Sequence, residues 1–248
     1  MDWQGWLDRW DAQQRTYVPE REERFTVIAD VVAAVGGERP RVLDLGCGPG
    51  SLSLRLLDRL PGASVVAVDA DPVLMSLGQQ ASVGRVGLSW VDADLRSPSW
   101  TSAVPAGPYD AAVSTTALHW LPASLLPSFY GSVRELLRPG GVFVDGDHFD
   151  YAPAEPGLAA VAKSLRAEWD ARTPVPAGES WESWWEALQA EPGLAPAFAE
   201  RARRRHEHPA SDESSLLSAH ADGLRAGGFA QVGTVWQKGT DRVLVGLR

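Results

Sequence analysis

Between residues 41 and 145 the hydrophobic period switches back and forth between short apolar runs and helical repeats. Residues 41–45 form the first run, and residues 51–60 follow with Leu52, Leu56, Leu57 and Leu60 at helical spacing. Further runs occupy 65–69, 86–91, 109–114 and 142–145. Asp71-Pro72 supplies an N-cap with proline at the first helical position, and 122–137 reads as a further helix stopped by Arg138-Pro139-Gly140-Gly141. The runs do not alternate polar with apolar, so each strand is expected to be buried on both faces. Successive strands joined through helices cannot be hairpins. They make a parallel sheet covered by helices on both sides.

The flanks complete this frame. Residues 1–37 read as an N-terminal helical segment, with Trp3, Trp6 and Trp10 at i, i+3 and i+7 and Gly36-Gly37 as the stop. From 152 to 211 strand signals cease, and three helical stretches take over at 157–172, 181–191 and 195–206. Pro174, Pro176 and Gly178 part the first two. A helix at 214–226 ends on Gly227-Gly228, and two last strands, 229–236 and 243–247, are joined too tightly to be anything but antiparallel. The expectation is one α/β domain over 1–248. Its sheet is Rossmann-like, seven-stranded and mostly parallel with an antiparallel last strand, and a helical insert at 152–211 serves as a substrate lobe.

Charge and cysteine content narrow the function classes. The chain carries 23 Lys plus Arg against 32 Asp plus Glu, a net charge of -9 over 248 residues. That balance disfavours nucleic acid and anionic membrane as partners, since both reward clustered positive charge. The run Arg201, Arg203, Arg204 and Arg205 is flanked by Glu200 and Glu207 and reads as a solvated helix face. Cys47 is the only cysteine, no apolar run reaches membrane-spanning length, and the N-terminus has no signal-peptide pattern, so a cytoplasmic protein is expected.

The chemistry lies in Val42-Leu43-Asp44-Leu45-Gly46-Cys47-Gly48-Pro49-Gly50, with Asp69 nineteen residues beyond Gly50. A glycine turn between strand and helix lets a ligand approach the backbone, where the helix N-terminus offers unpaired N–H groups. An acid at the tip of the second strand sits where it accepts hydrogen bonds from a ribose. Dinucleotide sites favour G-x-G-x-x-G, whereas this turn is G-x-G-x-G, with an acid ahead of it and Ser51 at the sixth place. A nicotinamide dehydrogenase is therefore disfavoured. Cys47 reads as a small residue in a tight turn, with no chemistry assigned.

The turn, its leading acid and Asp69 resemble the motifs of class I S-adenosylmethionine-dependent methyltransferases, and the likeness covers most of residues 40–150. Ser114-Thr115-Thr116-Ala117-Leu118-His119-Trp120-Leu121 is most similar to bacterial small-molecule methyltransferases, including the trans-aconitate type that esterifies carboxylates. The resemblance implies S-adenosylmethionine as cofactor, with Gly46, Gly48 and Gly50 along its methionine part, Asp69 on both ribose hydroxyls, and Asp44 and Ala70 among the cofactor-binding residues. Asp94 would accept from the adenine amino group beside the Leu95 N–H, with Asp92 the competing acid. Ser114 would offer its carbonyl to the cofactor's amino group.

On the acceptor side, His119 and His148 follow the fourth and fifth strands and are candidates for a base or a positioning group; each reads equally well as a loop cap. Asp147 beside His148 reads either as a group that orients that imidazole or simply as a polar strand end. His119, Asp147 and His148 lack a third strong ligand at a known spacing, so no metal is assigned. Trp120 is a candidate substrate contact. Trp181, Trp184, Trp185 and Leu188 form a helical stripe that either packs on the sheet or, through Trp181 and Trp185, walls the acceptor site. Tyr17, Arg21 and Arg24 are placed to close over the cofactor, one arginine pairing its carboxylate.

The expected function is methyl transfer to a small-molecule acceptor at a carboxylate, hydroxyl or amine, with carboxylate esterification as its leading version. An enzyme running lyase or cyclase chemistry on the same cofactor, or a non-catalytic cofactor-binding partner, are the alternatives. The second would be signalled by a damaged glycine turn, and the turn is intact.

Overall fold

The computed structural model describes residues 1–172, 178–204 and 212–248. Its centre is a seven-stranded sheet of β1 (Arg41–Leu45), β2 (Ser64–Asp69), β3 (Leu88–Asp92), β4 (Tyr109–Thr115), β5 (Leu137–His148), β6 (Gln231–Lys238) and β7 (Asp241–Leu247). The order is β3-β2-β1-β4-β5-β7-β6, and β7 alone runs antiparallel to its neighbours. The helices are α1 (Trp3–Tyr17), α2 (Arg21–Gly36), α3 (Ser51–Arg59), α4 (Pro72–Ala81), α5 (Trp100–Ala103) and α6 (Leu126–Leu136). Beyond the fifth strand come α7 (Pro156–Arg172), α8 (Trp181–Gln189), α9 (Ala195–Arg204) and α10 (Leu217–Ala226).

Residue parity along each strand sorts the two cores, because successive side chains point to opposite faces. Val42, Val65, Ala111, Val113, Val142 and Val144 face α2 and α3, where Phe25, Ile28, Val32, Leu52 and Leu56 cover them. Leu43, Leu45, Val66, Ala112 and Phe143 face the other way, onto Phe129, Tyr130 and Val133 of α6 and Leu224 of α10. Each fully buried side chain of this kind stabilises the fold by about 1.5–3 kcal/mol. The sheet is thus covered on both faces, as the unalternating runs predicted.

Several boundaries differ from the sequence reading. The third strand begins at Leu88 rather than 86, because Gly87 takes a left-handed φ of +84° and Val86 stands exposed. The stretch 138–141 does not precede β5 but lies within it. There the β4–β5 register shifts between Tyr109 and Ala111, and Arg138 pairs with Asp110 at 2.6 Å. The expected helix at 122–137 is a 3-10 turn, Ala123–Leu125, followed by α6, and α10 is likewise preceded by the 3-10 turn Asp212–Ser215. The expected end of the third lobe helix at Arg205-His206, and the separators Pro174 and Pro176, lie outside the described residues.

The tryptophan stripe of α8 does not pack on the sheet. Both sheet faces are already covered, so it is buried against α1 and α4 instead. Trp184 is fully buried, with ring centroids 6.1 Å from Trp6 and 4.9 Å from Trp10. Leu7, Val73, Leu74, Leu77 and Leu188 fill the rest of this third cluster. The N-terminal helix therefore joins α8 of the lobe to α4.

Candidate functional site

Strand order reverses between β1 and β4, and at such a switch point the helices that follow diverge and leave a crevice past the strand ends. A cavity of about 870 Å³ opens there, lined from the turn after β1, the end of β2, the loops after β3 and β4, the end of β5, α1 and α8. Gly46 and Gly48 line it, and the Gly46 and Cys47 N–H groups both donate to the Val68 carbonyl, at 2.8 and 3.0 Å.

The turn needs glycine for reasons that differ by position. Gly46 has φ +74°, and a Cβ there would sit 2.4 Å from the Ala117 Cβ. Gly50 has φ +85°, and a Cβ would meet the Trp90 ring at 2.6 Å. Gly50 caps α3 and packs on Trp90 rather than lining the cavity. Gly48 has only Leu74 nearby, at 3.8 Å. We therefore expect Gly48→Ala to cost about 1–2 kcal/mol, the left-handed strain alone. Gly46→Ala adds a clash between two backbone-anchored carbons and is expected to cost at least about 1 kcal/mol more. Urea titrations of the two variants side by side check the difference.

Asp69 lines the cavity and is tied to the turn: its Oδ2 accepts from the Gly48 N–H at 2.7 Å and its Oδ1 from the Asp71 N–H at 2.8 Å. Burial, opposed by these backbone donors, raises its pKa. Asp44 is placed differently from the expectation. It is fully buried beneath the turn, off the cavity wall, with Oδ2 accepting from Ser53 Oγ at 2.5 Å and Oδ1 unpartnered. Burial pushes its pKa up to about 7, against the Ser53 hydrogen bond and with a further push from the Asp69 charge. A carboxyl with a raised folded-state pKa stabilises the fold below its ordinary range, and that contribution is lost as pH climbs through the folded value. Asp44→Asn is accordingly expected to raise stability at pH 8 and to change it little at pH 5, as read by thermal unfolding at the two pH values.

The two candidate adenine acids separate cleanly. Asp94 and Leu95 line the cavity, with Asp94 held by Arg96 through contacts of 2.8–3.2 Å. Asp92 points away and takes both Nη atoms of Arg204, each at 2.7 Å. Arg204 also donates to the Ala70 carbonyl at 2.8 Å, and Arg201 pairs with Asp71 at 2.6 Å. The arginine run is thus not simply a solvated face. Two of its members clasp the tips of β2 and β3, Arg203 pairs locally with Glu200, and Arg205 lies outside the described residues. A one-dimensional reading cannot see partners more than a hundred residues away.

Ser114 is buried behind the wall, its hydroxyl donating to the Leu45 carbonyl at 2.8 Å, while Thr115 and Thr116 reach the cavity. Tyr17 and Arg21 line it as expected, but Arg21 is already paired with Asp11 at 2.7 Å. Arg24 does not close over a ligand at all. It is wholly buried against Asp241, at 2.6 Å, and the Gly146 carbonyl, at 3.0 Å. Trp120, Trp181 and Trp185 line the cavity, so the α8 stripe serves both as core, through Trp184, and as wall.

Both histidines reach the cavity, and the carboxylate between them serves His119 rather than His148. Asp147 Oδ2 lies 2.8 Å from His119 Nδ1, while its Oδ1 accepts the backbone N–H of His148 at 2.8 Å. In β5 side chains of adjacent residues point to opposite faces, which separates the Asp147 carboxylate from the His148 ring. Burial works against a charged His119, yet the Asp147 charge and hydrogen bond outweigh it and raise the ring's pKa. Reciprocally, burial opposes ionisation of Asp147, but His119 holds its pKa low. Asp145, buried one turn of the pleat away without a hydrogen-bond partner, is pushed well up by burial and by Asp147. Burial also raises the Cys47 thiol, which keeps it protonated. Among the described residues no group of three or more His, Cys, Asp or Glu is placed to hold a metal ion.

A doubly covered parallel sheet with a glycine turn, an acid at the tip of the adjacent strand and a cleft at the switch point defines an α/β protein with its ligand site past the strand ends. Residues 42–141 match the family described as Methyltransferase domain. A trans-aconitate 2-methyltransferase of Azoarcus is 38% identical over 55% of this chain and 49% of its own length. That of Streptomyces coelicolor is 34% identical over 63% of this chain and 51% of its own. The chain thus spans about half the length of the curated relatives it matches. A solved O-methyltransferase family protein from Burkholderia thailandensis superposes with a TM-score of 0.57 at 17% identity, over 90% of this chain and 55% of that one. Over residues 42–141 the chain thus matches a methyltransferase domain, and its fold is that of the solved methyltransferase it superposes on.

Proposed function

We propose that this protein transfers the methyl group of S-adenosylmethionine to a small-molecule acceptor. The observation that carries the reading is Asp69, whose two oxygens pin the Gly48 and Asp71 N–H groups so that turn and strand tip form one rigid cradle. The residues fit the cofactor. The close approach of Gly46 to Ala117 leaves no room for a side chain at that position, and Asp69, Asp94 and Leu95 line the same cavity. Asp69 would take the ribose, Asp94 and the Leu95 N–H the adenine, and the turn with Thr115 or Thr116 the methionine end. When bound, the cofactor supplies an activated methyl carbon on a sulfonium.

The chain's part is then mainly to hold the acceptor in line with that carbon, an effect that supplies about 7–11 kcal/mol. Trp120, Trp181 and Trp185 shape the acceptor side and exclude water, and the lobe over 152–211 acts as the substrate lobe of a single domain. No helix of the described residues is long and apolar enough to cross a membrane, and the lone buried Cys47 suits a reducing cytoplasm. The test is calorimetric titration with S-adenosylmethionine, S-adenosylhomocysteine and NAD. Micromolar binding of both sulfur ligands with none of NAD is expected; NAD binding alone overturns the reading. Mass analysis of the products, methylated acceptor against cofactor fragments, separates methyl transfer from lyase or cyclase use of the same cleft.

A further inference from the structure

The relatives are named for methyl transfer to trans-aconitate, a polycarboxylate, and the walls of this cavity argue for something else. Apart from histidine, the cationic side chains among its described lining residues are Arg21, Arg96 and Arg201. Each is already neutralised within the chain, Arg21 by Asp11 at 2.7 Å, Arg96 by Asp94 at 2.8 Å and Arg201 by Asp71 at 2.6 Å. Arg201 is further held over the Trp185 ring, 4.1 Å from its centroid. Asp150 and Glu182 add negative charge to the same wall. An acceptor bearing several carboxylates would have to shed its water here against carboxylates, with arginines that are already engaged. Among the uncharged residues of the described wall, five aromatic rings stand beside small and aliphatic side chains: Trp10, Tyr17, Trp120, Trp181 and Trp185.

Resting on the methyltransferase reading, we infer that the acceptor is an uncharged aromatic hydroxyl compound, held among these rings, with His119 as the base and Asp147 as its positioning residue. A carboxylate acceptor is already ionised and needs no base; a phenol is not, and the 2.8 Å His119–Asp147 pair at the cavity wall is built for one. With the Nδ1 hydrogen given to Asp147, the neutral ring carries its lone pair on Nε2. The hydroxyl proton passes to that nitrogen as the oxygen lone pair forms the new O–CH3 bond. The S–CH3 bond breaks with its electron pair going to sulfur, and the imidazolium then releases its proton to solvent. Aryl methyl ether and S-adenosylhomocysteine are the products.

Among the described residues, the titratable and charged groups that act on His119 include Asp147 and Asp145 from β5, Arg24 from α2 and His220 from α10. Asp147 dominates, so the rate is expected to rise with pH to a midpoint above the ordinary histidine value, and Asp147→Asn is expected to lower that midpoint. The test is methyl transfer by the whole chain to 2-naphthol and catechol, with trans-aconitate and citrate in parallel, products read by mass spectrometry. Ethers of the aromatic hydroxyls are expected, with ester formation at least about tenfold slower. His119→Gln is expected to lower the 2-naphthol rate at pH 7 by about 100- to 10,000-fold while the S-adenosylmethionine Kd stays within about threefold. That gap should narrow at pH 9.5, where the acceptor ionises in solution. Faster esterification of the tricarboxylates overturns the proposal, as does a His119→Gln loss that is the same at both pH values. Intact cofactor binding with no transfer to either aromatic hydroxyl also overturns it. Failure of cofactor binding in the unmodified chain overturns instead the methyltransferase reading beneath it.

Discussion

Arg24→Ala is expected to lower the free energy of unfolding by about 3–5 kcal/mol, the cost of leaving a buried charge without its partner. Both side chains of the Arg24–Asp241 pair are fully buried, with Nε and Nη2 at 2.7 and 2.6 Å from Oδ1. The same guanidinium donates to the Gly146 carbonyl at 3.0 Å, and its stem lies so close on β5 that a Cβ at Gly146 would meet Arg24 Cδ at 2.5 Å. One side chain therefore ties α2 to β5 and β7 beneath the site. Burial pushes the Asp241 carboxyl up even with Arg24 present, and without Arg24 it rises further. A raised folded-state pKa means stability that is present at low pH and lost as pH rises through that value, so the variant's deficit should be larger at pH 8 than at pH 5. Urea titration at both pH values checks this. A deficit under about 1 kcal/mol at pH 8 would put the pair among ordinary surface ion pairs. The double variant Arg24→Met/Asp241→Leu should recover at least half the loss, since removing both charges removes the uncompensated one.

The largest functional effect is expected from Asp69→Ala, at least about a 100-fold rise in the S-adenosylmethionine Kd. Two hydrogen bonds to a charged acceptor are lost, each contributing about 1.5–3 kcal/mol. The Gly48 N–H then has no partner, and the turn no longer has a fixed distance to the tip of β2. A carboxylate at this place also has acceptor capacity left for ribose hydroxyls, which alanine cannot replace. Asp69→Asn keeps one acceptor oxygen and should fall between the two. Calorimetric titration, with circular dichroism to show that the sheet persists, reads the effect. A Kd within about tenfold of the unmodified chain would remove Asp69 from the cofactor site.

Much of this site was visible in one dimension because its logic is local. The turn at 46–50 and Asp69 lie at the carboxyl ends of adjacent parallel strands, and strand polarity alone brings those ends together. The same argument carried Asp94 and Leu95, one strand further out. The Ser114 hydroxyl is spent on the Leu45 carbonyl, and the cavity wall is taken up by Thr115, the last residue of β4, and Thr116 just past it.

The pairings were another matter. Asp147 was expected to serve His148, its neighbour in the chain, yet it holds His119, twenty-eight residues back. Arg24 was expected over the cofactor and proved to be a buried strut to Asp241, 217 residues away. Arg201 and Arg204 read as a solvated face and instead reach across to Asp71 and Asp92. A charged side chain shows its sign in the sequence, but its partner is chosen by which elements the fold brings within about 4 Å. By itself, then, the sequence determined the parallel sheet, the position of the cleft and the glycine turn with its neighbouring acid. These follow from hydrophobic period, glycine stereochemistry and strand polarity, all of which act over a few residues. Only the tertiary structure decided which arginines are spent on carboxylates, which histidine has a carboxylate behind it, and hence what charge the acceptor meets, because long-range electrostatic pairing has no period to read.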